Sequence, residues 1–446
     1  MLILQAWDRS GEVTRTERTP MATVTGGGST TVVNVGSNDA NGVAQALANV
    51  ISAGLAAGTL TRVASPQNNP PTGTGAATIS TTGGALITNA PAVSVDLIAA
   101  GGSVVGGGSQ NIVGSGLPNQ QVLGDNENIT YFTNGGGGSF VFGDGNDIFG
   151  TPTVGGGVSN VQTGAGNDTI NIYSGLATVA AGPGNNVINT GMAGTTSNVL
   201  VFASGNDRII STGGAGTDTV IAGNGSTFIL EATKNLVFNG QGGNGSVTIV
   251  GGRGSDTVFA GPGGGSIGGG SAGNNALFGG TGTAGTTLFG GGSGDLLFAR
   301  GSGQTVLVAG SGNETLTGAG STGNNVFIAG QGGNTTIGGG VGNDSIFIGN
   351  PGSTSSFGGN VVADGGLGND LFSFTNRGAG GSSASVLINN FRSGSSANDQ
   401  IQLVGYGADQ RANITNAAAG AGTVTLSDGT RITFGTAVNL NNTNFA

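Results

Sequence analysis

The chain has 446 residues, of which 97 are glycine; 8% are charged, and the net charge is −10 at pH 7. Cysteine and histidine are both absent, which excludes disulfides, thiolate metal sites, Ser-His-Asp triads and zinc sites of the HExxH type. The negative charge argues against nucleic acid and anionic membranes as partners, and no apolar stretch is long enough to predict a membrane-spanning helix.

The N-terminal part is predicted to contain an extension over 1–20 and a small cap with a linker over 21–75. The extension lacks the apolar segment of a secretory signal, so we expect export, if it occurs, to use another route. Within the cap, residues 31–35 are typical of a strand, and the sequence SPQNNPPTGTG over 65–75 is typical of a linker.

One clear helix is predicted over 38–57, with Asn38 or Asp39 as its N-cap. We expect this helix either to cover the open edge of the first coil of the following repeats or to contact a neighbouring molecule. Apolar residues recur on one face of it at helical spacing: Val43, Leu47, Val50, Ile51 and Leu55.

Short apolar runs separated by glycine clusters occupy residues 76–142, and they predict further coils of a β-solenoid whose repeat sequence is degenerate. Over 143–375 a phrase recurs, Gly-x-Gly-Asn-Asp-x-apolar, as in GAGNDTI over 164–170, and we name its fifth position the slot. Some slots hold another residue, such as Asn186, Glu314 or Asn325. Seven slots hold aspartate: Asp147, Asp168, Asp207, Asp218, Asp256, Asp344 and Asp370.

The phrase returns about every 9 to 11 residues, which is the signature of a solenoid built from glycine turns and short strands. Strand alternation places Ile170 and Ile172 on one face, and Ile346 and Ile348 on one face. The apolar residue two places after the slot is predicted to point inward. Phenylalanines at strand positions are expected to form an internal ladder: Phe259, Phe278, Phe289, Phe298, Phe327 and Phe347.

These phrases resemble the RTX (repeats-in-toxin) nonapeptide, Gly-Gly-x-Gly-x-Asp-x-apolar-x. The resemblance implies a parallel β-roll that binds Ca²⁺ between its turns, with the seven slot aspartates and turn carbonyls as ligands, since Ca²⁺ takes six or more oxygens. It also implies that the acids of one site lie about 18 residues apart. No two slot aspartates have that separation, so we expect few complete sites, with asparagine ladders holding many turns without metal.

Residues 376–446 resemble the region that follows RTX repeats, where an Ile-x-x-Phe phrase precedes an Asp-x-Ile-x-Leu phrase. Here the first phrase runs from Ile388 to Phe391, and the second runs from Asp399 through Ile401 to Leu403. The resemblance implies a C-terminal cap that carries an uncleaved type I secretion signal. A strand pair is predicted over 423–434, with Asp428 and Gly429 at its turn.

Together these features predict an all-β fold, a parallel β-roll or β-solenoid with one short N-terminal helix and a C-terminal β cap. The expected function is that of a secreted, calcium-binding structural, adhesive or surface-layer protein at a bacterial surface, whose folding external Ca²⁺ promotes. Its expected partners are calcium and either a second copy of the chain or cell-surface polysaccharide.

We do not expect an enzyme, because the repeats fill most of the chain. The alternative is a carbohydrate-active β-solenoid of the polysaccharide lyase or epimerase type that uses aspartate carboxylates. The single lysine, Lys234, is expected at the surface near Glu231.

Overall fold

The computed structural model describes residues 21–446 except 27–28, 36–41, 64–76, 80–81, 89–92, 98–99, 107–109, 331, 350–356, 379–381 and 395–397. The predicted extension over 1–20, the linker over 65–75 and the N-cap residues Asn38 and Asp39 lie outside the described residues. Contacts divide the chain into two units, Met1–Phe228 and Ile229–Ala446.

The first unit begins with a hairpin and a helix. Strands β1 (Met21–Gly26) and β2 (Ser29–Asn34) pair antiparallel. Helix α1 (Val43–Ala57) follows, and glycines in the left-handed conformation flank it on both sides, Gly42 with φ 68° and Gly58 with φ 72°. Only glycine adopts this conformation without steric cost, so the two residues fix where the helix begins and ends.

Two parallel sheets form the solenoid of the first unit, and the chain alternates between them. The odd-strand sheet contains β3 (Thr61–Val63), β5 (Gly84–Thr88), β7 (Ser103–Gly106), β9 (Gln120–Gly124), β11 (Gly138–Val141), β13 (Val158–Gln162), β15 (Gly175–Ala180), β17 (Ser197–Ala203) and β19 (Thr217–Ala222). The even-strand sheet contains β4 (Ala77–Ile79), β6 (Val93–Leu97), β8 (Gln110–Val113), β10 (Ile129–Phe132), β12 (Ile148–Gly150), β14 (Thr169–Asn171), β16 (Val187–Gly191) and β18 (Asp207–Ser211). Strand β20 (Thr227–Glu231) contains the boundary between the units.

Side chains alternate in and out along each strand, and equivalent inward residues stack in register from coil to coil. One such column is Phe140, Val161, Val179, Val201 and Val220, all buried. Another is Tyr131, Phe149, Ile170, Ile188 and Ile209. Ile172 is buried as well, so the predicted inward face of this repeat is confirmed.

Helix α1 and the β1–β2 hairpin cover the outer face of four odd strands. Leu47 and Ile51 of the helix share one hydrophobic cluster with Ile87, Val105, Leu123 and Val141, which point outward from β5, β7, β9 and β11. The prediction that the helix covers the open edge of the first coil is therefore wrong. The apolar side chains that point outward from these four strands would otherwise be exposed to solvent, so the helix packs along the side of the coils. Val50, predicted on the packed face, is 55% exposed.

The second unit repeats the two-sheet arrangement. Its odd-strand sheet contains β21 (Asn235–Asn239), β23 (Thr257–Phe259), β25 (Ala276–Phe278), β27 (Leu296–Gly301), β29 (Glu314–Ser321), β31 (Asn334–Gly340), β33 (Phe357–Gly366) and β35 (Ser382–Asn389). Its even-strand sheet contains β22 (Val247–Val250), β24 (Gly265–Gly268), β26 (Thr286–Phe289), β28 (Thr305–Val308), β30 (Val326–Ile328), β32 (Ser345–Ile348), β34 (Leu371–Thr375) and β36 (Gln400–Val404).

The predicted internal phenylalanine ladder is wrong for five of its six members. Phe327 is fully buried, but Phe259, Phe278, Phe289, Phe298 and Phe347 face outward. The residue two places after the slot does point inward, as Val258 and Ile346 show. Because alternation has a period of two, the phenylalanine three places after the slot must face the other way.

The C-terminal cap combines a helix with a small hairpin. Helix α2 (Asp409–Ala419), which the sequence analysis missed, buries Ile414 and Ala418. Strands β37 (Thr423–Thr425) and β38 (Arg431–Phe434) pair antiparallel, as predicted, and β38 also extends the odd-strand sheet beside β35. A 3₁₀ turn over Asn442–Asn444 follows. The predicted fold class, a parallel β-solenoid with a short N-terminal helix and a C-terminal cap, is confirmed.

Candidate functional site

The slot residues of the first unit form a column of hydrogen bonds, which we name the inner ladder. It lies where the chain enters the even strands. The backbone N–H of Ile129 donates to Asp147 Oδ1 (2.7 Å), that of Asp147 to Asp168 Oδ1 (2.8 Å), and that of Asp168 to Asn186 Oδ1 (2.9 Å). Each slot side chain thus accepts a backbone donor from the preceding coil.

The residue before each slot forms a second column, the outer ladder, at the surface. Here the backbone N–H of Asn146 donates to Asn128 Oδ1 (2.7 Å), that of Asn167 to Asn146 Oδ1, and that of Asn185 to Asn167 Oδ1 (both 2.8 Å). These bonds run in the opposite direction, from each coil to the preceding one. The Asn-Asp pair of the phrase therefore ties a coil to both of its neighbours.

The second unit has an inner ladder at the same corner. Asn325 N–H donates to Asp344 Oδ1 (2.7 Å), Asp344 N–H to Asp370 Oδ1 (2.9 Å), and Asp370 N–H to Asp399 Oδ1 (3.0 Å). Successive slot residues of a ladder, which we call its rungs, are here 19, 26 and 29 residues apart in sequence. Aspartates thus occupy neighbouring coils without a separation of 18 residues, because the coils differ in length.

Two of the seven predicted aspartates belong to the opposite corner, beside the odd strands, where slot residues of the second unit form a further inner ladder. In the second unit Leu236 N–H donates to Asp256 Oδ1 (3.1 Å), Asp256 N–H to Asn275 Oδ1 (2.8 Å), and Asn275 N–H to Asp295 Oδ1 (2.8 Å). In the first unit, the Thr190 hydroxyl donates to Asp218 Oδ2.

All seven predicted aspartates are buried, with at most 2% of their surface exposed. Within the described residues, five of them leave Oδ2 without a hydrogen-bond partner: Asp147, Asp168, Asp256, Asp344 and Asp370. Burial raises the pKa of Asp147 to about 8, of Asp256 and Asp370 to about 7, and of Asp168, Asp207 and Asp344 to about 6. A buried charge without a compensating partner is costly, so burial makes ionisation of these carboxyl groups less favourable than in water.

The geometry does not assemble a calcium shell at these residues. Ca²⁺ takes six to eight oxygens, whereas Oδ1 of each inner-ladder aspartate already accepts a backbone N–H. Within the described ranges, no three acidic side chains converge in a way that could hold a metal ion. The loops also stack backbone on backbone, since a Cβ at Gly166 would overlap the carbonyl oxygen of Gly145. Calcium at the seven aspartates stays a prediction from the resemblance.

Arg392, which no sequence motif indicates, brings a cation to an inner ladder in the described part of the chain. The Arg392 guanidinium donates to the carbonyl oxygens of Gly366 and Gly368, and it lies 3.8 Å from Asp370 Oδ2. Its backbone N–H donates to Asp399 Oδ2 (2.7 Å). In an earlier loop the carbonyl of Gly340 accepts from Leu367 N–H of the next coil. Arg392 therefore supplies the donors at the point where the series of glycine loops ends.

Other acidic and basic groups of the repeats are also turned inward. Glu314 is buried and accepts Gly310 N–H at Oε2 (2.7 Å), and burial raises its pKa to about 7. Lys234 and Glu231 are each only 1% exposed, so the expectation of a surface lysine is wrong.

The outward face of the odd-strand sheet in the second unit carries aromatic rings and hydroxyls. The ring centroids of Phe259 and Phe278 lie 4.5 Å apart and stacked, and those of Phe278 and Phe298 lie 5.7 Å apart. Thr315 and Thr336 follow as exposed residues on the next strands. Stacked rings of this kind stabilise neighbouring coils from outside.

No protein-family model matches the sequence, and no curated protein or solved structure matches the chain. The resemblance to RTX repeats therefore depends on the phrases quoted above and stays a prediction. Neither helix within the described ranges combines the length and the apolar character needed to cross a lipid bilayer.

Proposed function

We propose that this chain is a structural or adhesive scaffold of a bacterial surface or extracellular matrix. The observation that carries the proposal is that the repeated acidic residues of the slots face inward. The slot aspartates lie inside the corners and accept hydrogen bonds from adjoining coils, as Asp147 and Asp168 do. The repeated residues thus hold the coils together.

The alternative, an enzyme that processes polysaccharide, needs carboxyl groups that a polymer can reach. The slot acids do not meet this requirement, since Asp295 and Glu314, like the seven aspartates, are buried. This supports a scaffold over an enzyme.

The outward faces supply the surface on which such a scaffold would act. They present threonine, asparagine and apolar side chains, among them Thr336, Asn160, Val158 and Leu176. A second copy of the chain or a cell-surface polysaccharide is the partner that we propose for these faces. We place the protein outside the cell, exported by the type I route that the resemblance of residues 376–446 implies.

The test uses the full chain with bacterial cell-surface polysaccharides and with itself. A scaffold is expected to self-associate in analytical ultracentrifugation or to be retained on polysaccharide, while the length of the polysaccharide stays unchanged. Depolymerisation that is lost in Asp168→Asn or Asp256→Asn would overturn the proposal in favour of the enzyme. A monomer that binds none of these polymers would also contradict it.

A further inference from the structure

The asparagine rungs of the inner ladders use both atoms of their amide. Oδ1 accepts a backbone N–H, as described above, and Nδ2 donates to a carbonyl of its own loop. Asn186 Nδ2 donates to Ala181 O (3.0 Å), Asn275 Nδ2 to Ala272 O (2.8 Å), and Asn325 Nδ2 to Gly323 O (3.0 Å). The second atom of each of these asparagine rungs thus donates to the backbone of its own loop.

Asp256 and Asp295 flank Asn275 in one ladder and differ at this second atom. Asp295 accepts at both oxygens, from Asn275 N–H and Nδ2 at Oδ1 and from Gly291 N–H at Oδ2 (2.7 Å). Asp256 accepts Leu236 N–H at Oδ1, and its Oδ2 has no partner within the described residues. Asp295 is therefore satisfied as a carboxylate, and Asp256 is not.

Oδ2 of Asp256 occupies the place that Nδ2 occupies in Asn275. A Cβ built on Gly251, near the start of the Asp256 loop, would lie 2.6 Å from Oδ2. A Cβ built on Gly269, near the start of the Asn275 loop, would lie 2.7 Å from Nδ2. Since the amide N–H₂ donates in this position, an ionised oxygen there would be buried without a donor, which is costly.

We propose that the inner-ladder aspartates with an unpartnered Oδ2 are neutral carboxyl groups that replace an asparagine amide as donors, and that these rungs hold a proton in place of the calcium ion that the resemblance implies. They are Asp147, Asp168, Asp256, Asp344 and Asp370. The inference goes beyond the scaffold proposal and does not depend on it.

The charged groups around these rungs act in the same direction, with one exception. Asp295 faces Asp256, and Asp207 and Asp144 face Asp168. Asp125, Asp144 and Asp168 face Asp147, and the groups that face Asp370 are Asp344, Asp399 and Arg392. Neighbouring acids disfavour ionisation, whereas Arg392 opposes the effect at Asp370 alone. Asp256, which faces one neighbouring acid and for which burial is the largest cause of the raised pKa, is therefore the cleanest rung to test.

The experiment compares Asp256→Asn with the matched control Asp295→Asn in the full chain. Thermal unfolding is measured at pH 5 and pH 8, each with Ca²⁺ and with a chelator. We expect Asp256→Asn to raise the midpoint at pH 8 and to change it little at pH 5, with no response to Ca²⁺. Asp295→Asn is expected to lower the midpoint at both pH values, because a new N–H would face Gly291 N–H.

The proposal is overturned if Asp256→Asn lowers the midpoint at pH 8, or if it abolishes a stabilisation by Ca²⁺ that the unmodified chain shows. Infrared spectroscopy of the unmodified protein gives a second readout that does not require a folded variant. A band of protonated carboxyl groups should be present at pH 7, and its absence would also contradict the proposal.

Discussion

The backbone N–H of Asp147 donates to Oδ1 of Asp168, 2.8 Å away and 21 residues later in the chain. This single bond joins two neighbouring coils at a corner where both side chains are buried. It makes the slot residue an acceptor for the preceding coil, so its loss affects two coils at once.

Stability should fall as the pH rises. The pKa of Asp147 rises from an ordinary 3.8 to about 8, and that of Asp256 to about 7, because of burial. The folded state therefore binds more protons than the unfolded state. The stability that these neutral carboxyl groups contribute is fully present below about pH 3.8 and is lost as the pH rises through 7 to 8. Urea unfolding between pH 4 and pH 9 measures this. A free energy of unfolding that increases toward pH 8 would contradict the prediction.

The reverse exchange, Asn186→Asp, should destabilise the first unit at pH 8. It removes the donors to Ala181 O and Asp207 Oδ1 and buries a carboxyl beside Asp207. We expect a loss of about 1–3 kcal/mol, and a smaller loss at pH 5, where the new carboxyl is protonated. The control is Asn167→Asp in the exposed outer ladder, which keeps its acceptor and should change stability by less than about 0.5 kcal/mol. Equal losses in the two variants would be incompatible with a buried donor position.

Glycine at the corners is required for loop stacking. Gly166→Ala places a methyl group against the carbonyl oxygen of Gly145 in the preceding coil. Forcing the loops apart should cost about 1–3 kcal/mol or more in the free energy of unfolding. At Gly420 a Cβ would meet nothing within 4 Å, so Gly420→Ala should be close to neutral. A tolerated Gly166→Ala would show that the loops are not in contact.

Arg392 should stabilise the last glycine loop. Arg392→Leu leaves the carbonyls of Gly366 and Gly368 without their donor, at a cost of about 1–3 kcal/mol. Hydrogen exchange of residues 366–375 should accelerate in this variant. The same substitution at the exposed Arg253 should leave that exchange unchanged. Unchanged exchange in Arg392→Leu would mean that the guanidinium does not secure the loop.

Two phenylalanines that lie two and three places after their slots should respond very differently to truncation. Phe327→Ala opens a cavity in the core and should cost about 3–5 kcal/mol. Phe278→Ala removes outward ring contacts with Phe259 and Phe298 and should cost about 1 kcal/mol. Chemical denaturation of both variants checks the difference, and similar losses would place Phe278 in the core.

Local regularities were predictable from the sequence, because a short period repeats many times. The glycine turns and the inward Ile170 and Ile346 follow directly from alternation. The apolar character of Phe278 predicts an inward side chain, but its position in the strand decides its direction, which is outward. The pairing of Asp344 with Asp370 was also missed, since the sequence does not reveal that their coil has 26 residues.

The burial of the slot side chains depends on contacts between coils. The phrase shows that Asp168 sits in a turn, and an Asx turn or a metal ligand would both produce that pattern. Only the neighbouring coil decides which atoms it meets, Asp147 N–H on one side and Asn186 on the other. Helix α2 lacks a strong apolar stripe, and its burial likewise depends on the strands beside it.

The two ladders of the first unit run in opposite directions, and the pairs Asn146-Asp147 and Asn167-Asp168 present the same acceptors and donors. A coil is therefore interchangeable with its neighbours at the corner. If one were deleted as a whole, the coils on either side of it would meet with complementary groups already facing each other. The length of such a protein can consequently change by whole coils during evolution without any new interface being required.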